Sequence, residues 1–208
     1  CGSGLRSIAS GYQSIKSGDS KIIIAGGQES MSLAPHAINL RDGKKLGDAE
    51  IIDTLIKDGL WDAFHGYHMG VTAENVATKF QVTREDQDNF AIKSQDKALK
   101  AQKEKKFENE IINLKIKSKK SEVNFIKDEH PREGVNLEAL SRLKPVFKKD
   151  GTVTAGNASG INDGAAAVTL MSNEEAEKRK IEKLVSIKSW ASCGVDPALM
   201  GTGPIPSS

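Results

Sequence analysis

Cys1 stands directly ahead of a stretch in which Leu5, Ile8, Ala9, Tyr12 and Ile15 fall at helical spacing on one face. A cysteine placed there meets unpaired backbone N–H groups and the positive end of the helix dipole, which favour thiolate over thiol and therefore a nucleophile. Gly2 and Gly4 keep side chains away from the sulfur, so a substrate carbonyl can come close and find backbone N–H donors. The same four residues, Cys1-Gly2-Ser3-Gly4, also suit a small buried residue that starts a core helix, and by themselves they leave both readings open.

Two further stretches carry chemical residue types. The glycine-rich run from Gly151 to Gly164 matches neither the P-loop nor the dinucleotide fingerprint in order and spacing. Within it Ser159 sits among small residues, but a nucleophile elbow needs glycine two places earlier, where this chain has Asn157. The glycines either bring a ligand close to backbone, with Ser159 supplying a hydrogen bond, or only form tight turns. From Leu60 to Gly70 aromatic and histidine side chains concentrate. His65 and His68 are three apart, yet no acidic or thiol ligand lies at a usual zinc spacing, so no metal is assigned and the stretch reads as a pocket wall.

Around these residues the composition sets bounds. A chain of 208 residues holds one large domain or two small ones. Net charge is +2, but acids prevail from Gly47 to Phe90 and bases from Lys93 to Lys149, with pairs at Lys105-Lys106, Lys119-Lys120 and Lys148-Lys149. Such a middle is either a solvated lysine-rich face or a site for a polyanion. Aromatic residues are few and not interleaved with the bases, which argues against single-stranded nucleic acid; a phosphorylated small molecule fits the charge better. Two cysteines make no disulfide framework and suit a reducing, cytoplasmic setting. No apolar run is long enough to cross a membrane. The first residue is not methionine, so the translation start is out of view and an upstream targeting segment is compatible with the sequence.

The expected elements alternate in α/β fashion. After the first helix, Lys21 to Ala25 reads as a buried parallel strand ending at Gly26-Gly27, and Gln28 to Gly47 as an excursion out of the sheet. A helix is expected from Asp48 to Gly59, with Ile51, Ile52, Leu55 and Ile56 on one face, and another from Thr72 to Phe80. Thr83 to Asp86 resembles a capping box and opens a long helix whose packed face carries Phe90, Ala91, Ser94, Ala98 and Ala101. Strands follow at Ile111 to Ile116 and Val123 to Ile126, with a charged Ser118 to Ser121 turn between them, then a short helix from Asn136 to Leu143. Ala165 to Leu170 reads as a buried strand re-entering the sheet. Ser172 with Glu175 makes the better capping box, leading a helix to Lys180, and Val185 to Ala191 is a last strand.

Taken together and in this order, Cys1-Gly2-Ser3-Gly4, the Gly26-Gly27-Gln28-Glu29-Ser30-Met31-Ser32 turn, Tyr67-His68-Met69-Gly70 with Thr72-Ala73-Glu74-Asn75, the Gly151 to Gly164 stretch and Gly201-Thr202-Gly203-Pro204 resemble a thiolase over essentially the whole chain. The resemblance is nearest to the biosynthetic, acetyl-CoA acetyltransferase branch. It implies an α/β fold of αβαβα layers, present here in part. Residues 1–30 would end the N-terminal half from the nucleophile onward, an inserted loop domain would run over 31–161, and residues 162–208 would finish that half and begin the next.

The resemblance also implies roles. Cys1 would accept the acetyl group of acetyl-CoA as a thioester, and a second acetyl-CoA, deprotonated at its methyl carbon, would attack it to give acetoacetyl-CoA and CoA, or the reverse by thiolysis. Coenzyme A would be held by Leu60, His68, Met69, Arg132, Phe147, Ala155, Ser159 and Met200. Arg132 would stack on adenine, Leu60, Met69 and Phe147 would line the pantetheine channel, and Ser159 would bond a pantetheine amide. Lysines of the basic middle would serve the phosphates, whereas Ala139 stands where the family often has a serine near the adenine. The thioesters are substrates, and no tightly bound cofactor is implied. The implied assembly is a homotetramer with contacts in Met31 to Gly47.

A thiolase also needs a histidine that activates the nucleophile and a second cysteine that moves the substrate proton; neither motif is found here. Cys193 lacks the glycine-flanked context of that second cysteine and reads as structural. The sequence is thus expected to be an internal fragment that does not turn over alone. Competing readings are a non-catalytic CoA-binding or assembly fragment, a degradative 3-ketoacyl-CoA thiolase, a ketoacyl carrier-protein synthase, and an N-terminal nucleophile amidohydrolase. The last wants antiparallel sheets between helices, which this pattern does not supply.

Overall fold

The computed structural model describes residues 1–117 and 121–208. The Lys119-Lys120 pair and most of the charged turn expected at Ser118 to Ser121 lie outside the described residues. The chain divides into two compact units, residues 1–66 with 161–208 and residues 67–160. In chain order the elements are α1 (Ser3–Ser17), β1 (Ile22–Ser30), β2 (His36–Ala37), β3 (Ile52–Asp53), β4 (Trp61–Asp62), β5 (Tyr67–His68), α2 (Met69–Phe80), α3 (Arg84–Lys103), β6 (Leu114–Lys117), β7 (Glu122–Phe125), α4 (Leu137–Ser141), β8 (Asp163–Met171) and α5 (Asn173–Arg179).

The first unit is organised by the pairing of β1 with β8, from Ile22 opposite Met171 to Ser30 opposite Asp163. The ladder is antiparallel, not parallel as expected, and it runs through Gly26-Gly27 to Ser30 instead of ending there. A ladder is made by backbone groups, so glycines that look like a stop in sequence extend it when a partner strand lies alongside. Among the described residues, one face is covered. α1 packs on Ile23, Ala25 and Leu170 through Gly11, whereas Ile24 on the other face is 77% exposed, so neither strand is buried on both sides. Along α1, Ala9 and Gly11 are buried and Leu5, expected on the packed face, is exposed. Beyond the ladder, Ser32 donates its backbone N–H to Asp163 Oδ1 at 2.9 Å and its hydroxyl to Oδ2, which ties the excursion to the start of β8.

Two expected elements of this unit do not form. In place of a helix from Asp48, β3 pairs antiparallel with β2, and a π-helical turn covers Leu55–Leu60. Asp53 Oδ1 accepts from Leu55 N–H at 2.9 Å and Pro35 O from Thr54 N–H at 3.2 Å, so a local bond and one to the β2 side take amides that an α-helix would use. Val185 to Ala191 has strand-like residues but no ladder partner among the described residues. It is held instead at Trp190, whose ring lies 4.8 Å beneath the Arg6 guanidinium of α1.

In the second unit α2 and α3 are joined by a short turn, and β6 and β7 form a hairpin with Leu114 opposite Phe125 and Lys117 opposite Glu122. The packed face of α3 is rotated from the expected one. Asp88 is its buried residue, while Phe90 is 77% exposed and Ser94 is exposed. Ala91, Ala98 and Ala101 are half-buried, as expected, and the first turns of the inward side are polar because Gln87 and Asp88 bind the glycine-rich loop. Arg84 of α3 also donates to the carbonyls of Leu140 and Leu143, which fixes the end of α4. The two capping boxes also exchange rank. Thr83 and Asp86 bond reciprocally, whereas Ser172 accepts from Glu175 N–H without return, because the Glu175 carboxylate is engaged by Arg179.

Candidate active site and ligand-binding loop

Cys1 is exposed and precedes Gly2, the N-cap of α1. Gly2 has no side chain to cap the first turn, and no acidic residue stands in that turn. The free amides and the dipole of a 15-residue helix therefore face whatever charge develops at its start. The position of this end is fixed by close backbone approach. A Cβ at Gly27 would lie 3.3 Å from the Gly4 Cα, and Ser7 Oγ sits 2.7 Å from Gly4 O and 2.8 Å from Gly26 O, bridging helix to strand. A carbonyl carbon brought to the sulfur could be attacked there, and its oxygen could be met by these amides. Leu60, at the end of the π-helical turn, is half-buried, and Met200, in a 3-10 turn at Pro197–Thr202, is 43% exposed; both belong to the first unit.

The second unit holds the other six expected ligand residues. His68 and Phe147 stack with ring centroids 4.5 Å apart and an interplanar angle of 18°. Gly70 makes the stack possible, since a Cβ at that position would run into the Phe147 ring. His68 also caps α2, its Nδ1 accepting from Gly70 N–H at 3.0 Å, which leaves the proton of the neutral ring on Nε2. Burial holds the His68 pKa below the ordinary histidine value. Met69, the first residue of α2, is half-buried. Arg132 is exposed, with its backbone N–H bound to Gln95 Oε1 at 3.0 Å, so its guanidinium is not the group that anchors the segment. His65 has a different role from His68: its Nδ1 lies 2.8 Å from Asp62 Oδ2, an acidic partner three residues away that spacing rules for zinc did not pick out.

Ala155 and Ser159 are both exposed on the glycine-rich loop. Behind them the loop is held by side chains whose part in holding it the sequence did not reveal. Glu74 of α2 accepts from Thr152 N–H at 2.7 Å and Val153 N–H at 2.8 Å through Oε1, and from Thr152 Oγ1 at 2.9 Å through Oε2. Gln87 of α3 donates to Thr152 Oγ1 at 2.8 Å. Asp88 accepts from Arg84 Nε and from Asn157 Nδ2, each at 2.9 Å, and Asn157 Oδ1 in turn accepts from Thr154 N–H at 2.7 Å. Glu74, Asp88 and Thr154 are almost wholly buried. The available signal was polar residues facing inward on two helices, at i, i+4 spacing for Arg84 and Asp88, opposite a glycine run.

The family described as "Thiolase, N-terminal domain" matches residues 1–174. The acetyl-CoA acetyltransferase of Rhizobium meliloti (strain 1021) is 59% identical over 208 residues, all of this chain and 53% of the relative. The cytosolic acetyl-CoA acetyltransferase of Rattus norvegicus is 53% identical over 209 residues, again with 53% of its length covered. Among solved structures, the Bacillus anthracis acetyl-CoA acetyltransferase superposes with a TM-score of 0.95 at 44% identity, over 100% of this chain and 52% of that one. Human mitochondrial 3-ketoacyl-CoA thiolase in complex with CoA gives 0.93 at 42%, with the same coverage. The chain thus spans about half the length of the relatives it matches and carries part of their fold. With its N-terminal domain profile matched from Cys1 onward, it belongs to the thiolase family.

Proposed function

We propose that the protein carrying this sequence is an acetyl-CoA acetyltransferase with Cys1 as its nucleophile. The observation that carries the reading is the exposed sulfur-bearing residue one position ahead of an uncapped helix N-terminus. Its thiolate attacks the carbonyl of acetyl-CoA; the new sulfur–carbon bond forms as the carbon–sulfur bond to CoA breaks, and CoA leaves with the proton that the cysteine gave up. A second acetyl-CoA loses a methyl proton, and its carbanion attacks the acetyl-cysteine carbonyl. Acetoacetyl-CoA forms and Cys1 regains its proton. The histidine and second cysteine that the resemblance assigns to these proton movements are not in this sequence, so the isolated chain does not complete the cycle.

In this reading coenzyme A is a substrate held by Leu60, His68, Met69, Arg132, Phe147, Ala155, Ser159 and Met200. The inserted domain runs over 31–161, and the complete protein is a cytoplasmic homotetramer. Exposure of Ala155 and Ser159 in front of a buried polar clamp supports the ligand assignment, as do relatives named acetyl-CoA acetyltransferase. A second reading, thiolysis of longer 3-ketoacyl-CoA, is favoured by the likeness to human mitochondrial 3-ketoacyl-CoA thiolase at a TM-score of 0.94. The deciding experiment is intact-mass spectrometry of the full-length protein after brief exposure to acetyl-CoA, with peptide mapping. An acetyl adduct on Cys1 is expected. A folded protein that binds CoA yet takes no acetyl group overturns the enzyme reading in favour of a non-catalytic CoA-binding one.

A further inference from the structure

Resting on the assignment of the 151–160 loop to coenzyme A, we propose that Glu74 is a positioning residue for that ligand: its buried carboxylate fixes the loop backbone from behind so that Ala155 and Ser159 are presented to the thioester. Glu74 is 3% exposed and spends both oxygens on the loop, accepting from two successive backbone amides, Thr152 and Val153, and from the Thr152 hydroxyl. Two adjacent N–H groups pointing at one oxygen constrain the peptide plane between them, and that plane sets the direction in which the chain leaves toward residue 155. The bond from Asn157 Oδ1 back to Thr154 N–H, with Asp88 holding the Asn157 amide, closes the loop immediately after. Both Glu74 oxygens are turned to the loop, and the buried carboxylate lies behind it, not on its exposed side. Its effect on the ligand therefore passes through the loop backbone.

Gly151 belongs to the same device. A Cβ there would run into Glu74 Oε1 and come within 3.0 Å of Lys148 O, so the carboxylate reaches the two amides only because residue 151 lacks a side chain. The position has no positive φ, so the requirement is for space and not for backbone conformation. Space makes a specific prediction: a methyl at 151 displaces the carboxylate, and removing the carboxylate relieves the closer of its two contacts, leaving only the approach to Lys148 O.

The test uses the full-length protein and reads CoA affinity by calorimetry alongside steady-state kcat and KM. Glu74→Ala is expected to raise the Kd for CoA and the KM for acetyl-CoA by about tenfold or more while kcat changes by less than about threefold. Glu74→Gln, which keeps an oxygen for the two amides, recovers most of that affinity. Gly151→Ala, which keeps Glu74 in the chain but displaces its carboxylate, also weakens CoA binding by about tenfold in the native background and by clearly less, about threefold or under, when added to Glu74→Ala. A purely stabilising role would lower the unfolding midpoint in all three variants without this split between KM and kcat. Folded Glu74→Ala with native CoA affinity, or a Gly151→Ala penalty that persists undiminished beside Glu74→Ala, overturns the inference while Cys1 acetylation stands. Should Glu74→Ala not fold, Glu74→Gln and Gly151→Ala alone decide it, and unchanged affinity in Gly151→Ala overturns it. A native protein that takes acetyl on Cys1 but does not bind through the 151–160 loop, shown by native CoA affinity in Ser159→Trp, removes the assignment on which the inference rests.

Discussion

At Cys1 the first unit offers backbone: free helix amides, a glycine N-cap and a glycine-on-glycine approach between α1 and β1. At the 151–160 loop the second unit offers side chains, with Glu74, Gln87, Asp88 and Asn157 bonded into a buried net. The contrast follows from what each part has to do in the proposed reaction. Charge develops transiently at the sulfur, and helix amides stabilise it there without reorganising. A ligand-binding loop must hold one shape through every state of the cycle, and a connected buried polar net holds shape well, at the cost that each member left unpaired is expensive.

The largest effect expected from this contrast is at the nucleophile. Cys1→Ala should remove acetyl transfer to the protein, a fall of at least about a thousandfold in kcat, with the Kd for CoA unchanged within about threefold. Intact mass and calorimetry on the same sample separate the two, and loss of CoA binding together with acetylation would erase the distinction between reactive end and ligand loop. Next is Asp88→Ala, which takes the acceptor from Arg84 Nε and from one Asn157 Nδ2 hydrogen. Removing one partner of a buried pair costs about 3–5 kcal/mol, and because Arg84 keeps a quarter of its side chain in water the expected loss is about 2–3 kcal/mol. Urea unfolding gives the size, and hydrogen exchange should place the lost protection in α3 and residues 152–157.

A smaller effect is expected at the stacked pair. Gly70→Ala forces Phe147 away from His68 and costs about 1–3 kcal/mol, seen as a lower unfolding midpoint. His68 adds a pH dependence of definite sign. Its folded pKa is lowered, so the unfolded chain takes up the proton first and stability falls as pH drops below the ordinary histidine value. Protonating the folded ring also breaks the bond from Gly70 N–H to Nδ1. His68→Asn keeps an acceptor at the cap but does not titrate, so the difference in urea midpoint between about pH 7.5 and pH 5.5 should shrink relative to the native protein.

How much of this was legible in the sequence follows the same division. The cysteine ahead of a helix was visible because a helix start and a nearby glycine are local signals. The extension of β1 through Gly26-Gly27 was not, because the partner strand that makes it a ladder lies more than a hundred residues on, at β8. Asp48 to Gly59 looked helical by the spacing of its isoleucines, yet the bonds of Asp53 and Thr54 compete for the amides a helix would need. Along α3 the small residues Ala91, Ala98 and Ala101 marked a half-buried side, but Phe90 and Ser94 on the expected face are exposed. What turns Asp88 and Gln87 inward is a polar loop some seventy residues later, a demand that periodicity within the helix does not record. Thr72-Ala73-Glu74-Asn75 was recognisable as a motif before the job of Glu74 in it could be read.

The smallest and sharpest comparison is between two helix caps, one in each unit. Thr83 and Asp86 bond in both directions, with the Thr83 hydroxyl accepting from Asp86 N–H at 3.1 Å and the Asp86 carboxylate accepting from Thr83 N–H at 2.9 Å. Ser172 only accepts, from Glu175 N–H at 3.1 Å, since Arg179 holds the carboxylate that would answer it. Thr83→Ala should therefore cost about 1–2 kcal/mol and Ser172→Ala about 0.5–1 kcal/mol. Arg179→Ala frees Glu175 to accept from the Ser172 backbone N–H, so protection of that amide should rise. Hydrogen exchange at the first turns of α3 and α5 measures each cap where it acts. Equal losses at the two helices, with no change on removing Arg179, would show that the reciprocal bond adds nothing and that a single accepting hydroxyl accounts for both starts.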